Sequence, residues 1–190
     1  MALRGTDLPG ALSELGVLPF ALRGILVALL SVATMIAVVR VSGRAFNALA
    51  TATIWRDIVG PIAEEILFRG FLFRQFRRWA GIPFRIAAVL SSLLFGLGHL
   101  WQGDTLLTSL EAVGVTFVGG VFFCWLTARW GNLWPAIVIH AGFDLVWVIF
   151  QLGDNAVGGL VANEARLAAL AIAIAATLVF TRRRPLAGGY

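Results

Sequence analysis

The stretch AEEILFRG, residues 63–70, sets two adjacent glutamates and an arginine inside an apolar run. Ile58, Val59 and Ile62 precede it, and Phe71, Leu72, Phe73 and Phe76 follow. Three charges in such surroundings need a reason. Spacing supplies part of it. Glu65 and Arg69 are four residues apart, share one helix face and can pair. Glu64 is turned ~100° from Glu65 and is free to point elsewhere.

The chain around this stretch has 190 residues, enough for one compact domain. Hydrophobic residues make up 59% and charged residues 13%, where soluble domains carry about 25% charged. The balance points to a membrane. All 15 basic residues are arginine, and the net charge of +5 is small. The arginines flank apolar segments and form no basic face among polar residues. That argues against a nucleic-acid partner and for membrane topology. Cys124, in GGVFFCWLTARW, is the only cysteine. It excludes a disulfide within the chain and a cysteine-based metal cluster, and it reads as a packed thiol.

A membrane helix needs ~20 mostly apolar residues. Residues 22–40, 61–78, 85–101, 106–128, 133–151 and 160–181 qualify, with 45–60 as an approach segment. The expected fold is all-α, a polytopic transmembrane helical bundle of about six spans, with its motifs on three helices. Residues 22–182 form this domain. Residues 1–21 form an interfacial segment with a short amphipathic helix on the membrane surface, and residues 183–190 a cytoplasmic tail. The first apolar run begins near Ile25, too late for a signal peptide, and reads as a retained span.

Arginine placement predicts sidedness. Arg74, Arg77, Arg78 and Arg85, then Arg129, then Arg182, Arg183 and Arg184 share the cytoplasmic side, whereas the alternate connections carry Asp104 and Asp154. The same alternation puts Arg40 and Arg44 outside. This predicts a multi-pass protein of the inner membrane with a cytoplasmic C-terminus. Trp79, Trp130 and Trp134 at inner ends and Trp101 at an outer end read as interface anchors. Arg56, Asp57 and Glu111, near span ends, read as solvated or interfacial.

Counting back from these arginines at 1.5 Å per residue puts Glu64, His99 and Asp144 at ~21–22 Å and His140 at ~16 Å. Three helices thus carry titratable groups at matched depth. His140 and Asp144 are i,i+4 in HAGFD, as are Phe95 and His99 in FGLGH. Such residues inside a membrane are functional candidates by default. A glutamate can be the base for a water, and a histidine can orient that water or donate to an oxyanion. The same groups can hold a metal, zinc on Glu64, His99 and His140, although a glutamate-and-water mechanism needs none. Pro61 lacks an N–H. It either begins the motif helix, with both glutamates near the positive helix end, or kinks a helix that runs through from residue 50.

EEILFR (64–69) resembles the EExxxR motif of the CPBP family, the ABI-like group that joins CAAX prenyl endopeptidases with bacteriocin-processing and immunity proteins. FGLGH resembles its FxxxH motif, and HAGFD its third motif, His followed four residues later by Asn or Asp. The resemblance covers roughly residues 55–150. It implies an intramembrane endopeptidase with Glu64 as general base, His99 holding and polarising the water, and His140 with residue 144 forming the oxyanion site. Glu65, Arg69 and Phe95 would support them. The partners implied are the lipid bilayer and a peptide or protein substrate, lipidated or transmembrane ones included. Prenyl endopeptidases carry Asn at the last position. Asp144 has no N–H, so it must be protonated to donate, and otherwise orients His140 or binds a metal. The rival readings are a non-catalytic immunity or peptide-binding protein of the same fold, and a proton-coupled transporter.

Overall fold

A computed structural model describes residues 7–47 and 55–182. Arg183, Arg184, the predicted tail from 183, residues 1–6 and part of the approach segment lie outside them. The described residues are helical, with no strand.

The first helix, α1 (Leu8–Leu15), starts where the Asp7 side chain accepts from Gly10 N–H at 2.9 Å. It ends at Gly16, whose φ of 82° suits a residue without Cβ. Then come α2 (Leu22–Val41) and α3, residues 55–78. This continuous run comprises a π-helical turn at Trp55–Val59, α-helix at Gly60–Glu65, a π-helical stretch at Ile66–Phe73 and α-helix at Arg74–Arg78. The run passes through Pro61. The widened turn falls on the residues whose carbonyls lose a donor there, Asp57 foremost. Next is α4 (Phe84–Leu97), followed by a 3-10 turn at Leu100–Gln102, then α5 (Leu106–Trp130), α6 (Trp134–Ile149) and α7 (Leu160–Thr181). The start of α5 is fixed by Thr105 and Thr108, each of whose side chains bonds the other's backbone N–H.

Among the described residues, three helices are fit by length and composition to cross a membrane, α2, α5 and α7. At 14 and 16 residues, α4 and α6 are apolar but shorter, ~21 and ~24 Å against a hydrocarbon core of ~30 Å. Leu26, Leu29 and Leu30 of α2, Leu93, Leu94 and Leu97 of α4, and Leu167, Leu178 and Val179 of α7 are exposed. A surface so apolar fits lipid.

Inside, α2 lies along α7 and α6, and α4 along α5. Small residues bring α2 and α7 close: Ala165, Ala169 and Ala173 are fully buried, and Ser31 Oγ donates to Ala169 O at 2.8 Å. At one end, Gly24 of α2 abuts Trp130 and Pro135, and Trp130 Nε1 donates to Thr177 Oγ1 at 3.1 Å. Arg74 donates to the carbonyls of Glu14 and Gly131, and Trp134 Nε1 to that of Val17. The ends of α3, α5 and α7 and the N-terminal segment therefore share one arginine-rich face. At the other end Asn47 N–H donates to Ile149 O at 3.0 Å, so Arg40 and Arg44 do lie opposite.

Two expectations need correction. Trp130 is 7% exposed and packed among α2, α6 and α7, so it is a core residue and no interface anchor. Asp57 is buried at 6% exposure, with Arg56 Nε 2.8 Å from its Oδ1, because the first turn of α3 packs against α6. Arg56 itself and Glu111 are exposed. Cys124 is a fully buried free thiol, 3.9 Å from Ser92 Oγ.

Candidate active site

Both glutamates of the opening stretch address one imidazole. Glu65 is fully buried, and its Oε1 accepts from Arg69 Nη1 at 2.9 Å, the pairing that the i,i+4 spacing predicts. The same oxygen accepts from His140 Nδ1–H at 2.9 Å. With Nδ1 engaged, Nε2 faces the opposite way. Glu64 Oε2 lies 3.7 Å from it and Asp144 Oδ2 3.9 Å. Their side chains are 38% and 42% exposed, against 0% for Glu65 and 11% for His140. One ring thus separates a dry carboxylate from two that solvent reaches. Asp144 stands beyond hydrogen-bond distance of His140, so Glu65, and not Asp144, orients the ring.

His99 joins this group through Phe95. Its Nδ1–H donates to Phe95 O at 2.8 Å, which leaves Nε2 as an acceptor. The Phe95 ring lies edge-on to His99 at 4.7 Å and to His140 at 5.9 Å, and carries the Arg69 guanidinium at 4.2 Å. The expected direct grouping of His99 with Glu64 is not drawn that tightly. Among the described residues no carboxylate lies within 4.0 Å of His99. Nor do any three His, Cys, Asp or Glu side chains among them converge as a metal shell requires. Glu64, His99 and His140 therefore do not fit a zinc ion in this geometry, and no step below is routed through one.

Some contributors carry no polar signal in the motifs. Phe123 of α5 stacks on His140, with centroids 5.0 Å apart and planes 24° apart, and also borders Arg69. It sits in a run of apolar residues, where nothing in the sequence distinguishes it. Arg166 is different, being a lone arginine inside α7. It donates to Ala156 O at 2.6 Å, lies 4.6 Å from the Trp147 ring and stands within electrostatic reach of Asp144, as do Arg56 and Asp57.

The family model for Rce1-like type II CAAX prenyl endopeptidases matches residues 46–146, which hold all three motifs and more than half the chain. The chain belongs to this family. Among curated proteins it is similar to "Putative membrane peptidase YdiL" of Bacillus subtilis (strain 168), with 34% identity over 106 residues, 56% of this chain and 39% of that one. It is also similar to UPF0177 protein YbdI of Lactococcus lactis subsp. lactis (strain IL1403), with 29% identity over 99 residues, 50% of this chain and 46% of that one. The match thus spans less than half the length of either relative. No solved structure matches. As a member of the Rce1-like family, the chain carries its EExxxR glutamates and arginine on α3, the FxxxH histidine just past α4 and the final His and Asp on α6.

Proposed function

We propose that this Rce1-like chain is an intramembrane endopeptidase that cleaves a peptide with a glutamate-activated water. The supporting observation is the gap between His140 Nε2 and the half-exposed Glu64 and Asp144 carboxylates, opposite the buried Glu65 contact. Glu64 takes a proton from water as the water oxygen attacks the peptide carbonyl carbon. His99 accepts from that water through Nε2. The carbonyl oxygen gains negative charge and receives hydrogen bonds from His140 as imidazolium and from Asp144 in its protonated form. On collapse Glu64 returns its proton to the leaving nitrogen, the C–N bond breaks, and a carboxyl and an amine terminus result. Glu65 and Arg69 hold the imidazole throughout.

The membrane-facing helices support a substrate that is itself membrane-bound, a lipidated or transmembrane peptide. The arginine-rich face supports an orientation with that face and the C-terminus in the cytoplasm.

The test is purified protein in detergent with an internally quenched peptide library. Glu64→Gln should slow cleavage about 10²-fold or more. Unchanged cleavage would overturn the reading, and peptide binding without cleavage by the wild type would favour the non-catalytic alternative.

A further inference from the structure

Helix α5 carries none of the three motifs, yet one of its faces forms the back wall of the site. Gly120, Phe123 and Cys124 share that face by i,i+3 and i,i+4 spacing. At Gly120 a Cβ would lie 2.9 Å from both Cβ and Oγ of Ser92 and 3.2 Å from Arg69 Nη2. Neither neighbour has room to yield. The Ser92 Cβ is one bond from the backbone of α4, the helix that leads to Phe95 and His99. The Arg69 guanidinium is enclosed by the Phe95 and Phe123 rings, at 4.2 and 5.3 Å. Its Nε and Nη2 have no hydrogen-bond partner among the described residues, so packing sets its position beyond the single contact to Glu65. Gly114 and Gly119 of the same helix differ, because a Cβ there meets nothing within 4 Å.

We propose that Gly120 is a positioning residue of the active site. Its bare α-carbon lets α4 and Arg69 close against α5, and through Arg69 and Glu65 it sets the orientation of His140. The inference rests on the endopeptidase reading above.

The experiment compares Gly120→Ala with Gly119→Ala and Gly114→Ala in the full chain, purified in detergent, on a quenched peptide that the wild type cleaves. Gly120→Ala is expected to lower kcat about 10- to 100-fold and to leave KM within about twofold. The two controls should match the wild type. Adding Ser92→Gly to Gly120→Ala removes both 2.9 Å contacts and is expected to restore most of kcat. A second readout needs no substrate: the downfield Nδ1–H proton resonance of His140, assigned by its loss in His140→Gln, should shift in Gly120→Ala and not in the controls. If Glu64→Gln cleaves as fast as wild type, the glutamate-activated-water reading fails and the resonance still decides the role of Gly120. If Glu64→Gln is inactive while Gly120→Ala matches Gly119→Ala in kcat and resonance, the positioning role is overturned. Should Gly120→Ala not fold, a folded double variant without recovery of kcat overturns it as well.

Discussion

Oε1 of Glu65 is the anchor of His140: it accepts the imidazole Nδ1–H at 2.9 Å while also accepting Arg69 Nη1 at 2.9 Å. A fully buried carboxylate held by a fully buried guanidinium is a rigid platform for a ring. The adjacent Glu64 meets the opposite nitrogen of that ring from a position that solvent reaches.

The two glutamates should separate cleanly in stability. Removing one partner of a buried ion pair strands the other, a cost of about 3–5 kcal/mol. Glu65→Gln is therefore expected to lower the thermal unfolding midpoint in detergent sharply. Glu64→Gln, half-exposed, should stay within about 0.5 kcal/mol of wild type and lose cleavage. Equal losses of stability would contradict this division.

Phe123→Leu keeps apolar bulk but removes the ring stacked on His140. Aromatic pairs contribute about 0.5–1.5 kcal/mol beyond their burial. The expected result is a stability loss of that order together with slower turnover, read by melting curves and kcat on one peptide.

Asp144 does not orient His140, since 3.9 Å exceeds a hydrogen bond. Asp144→Asn supplies an N–H donor without needing protonation. Cleavage by Asp144→Asn should persist, and Asp144→Ala should lose most of it. Loss in both variants to the same extent would mean that the carboxylate itself is required.

Trp130→Phe removes the indole donor to Thr177 Oγ1, a residue that carries none of the three motifs. Hydrogen bonds between membrane helices contribute about 0.6 kcal/mol on average. A drop of that order in stability with unchanged kcat is expected, measured by unfolding and by cleavage.

A strong zinc chelator is expected to leave cleavage intact. Glu64, His99 and His140 do not converge as a ligand shell, and elemental analysis of the purified protein should find no stoichiometric zinc. Inhibition reversed by added zinc would contradict it.

Local spacing made much of this legible. The i,i+4 pairs Glu65–Arg69 and His140–Asp144 share a helix face on any helix, and matched depth grouped their helices. Asp57 was misread because a charge near a span end is usually solvated, whereas here the π-helical turn before Pro61 packs it against α6. Trp130 was misread for a similar reason: its place at a helix end says nothing of the Thr177 hydroxyl that faces it.

By itself, the sequence determined that this is a helical membrane protein and which titratable residues lie within its apolar runs. Charges in apolar runs are costly enough to stand out, and helical periodicity is a local property. Only the tertiary structure decided that Glu65 takes Nδ1 of His140 while Glu64 faces Nε2, and that Phe123 backs the ring. Those relations depend on how four helices cross, and crossing is set by the packing of small residues such as Gly120, whose place is visible only when its neighbours are assembled around it.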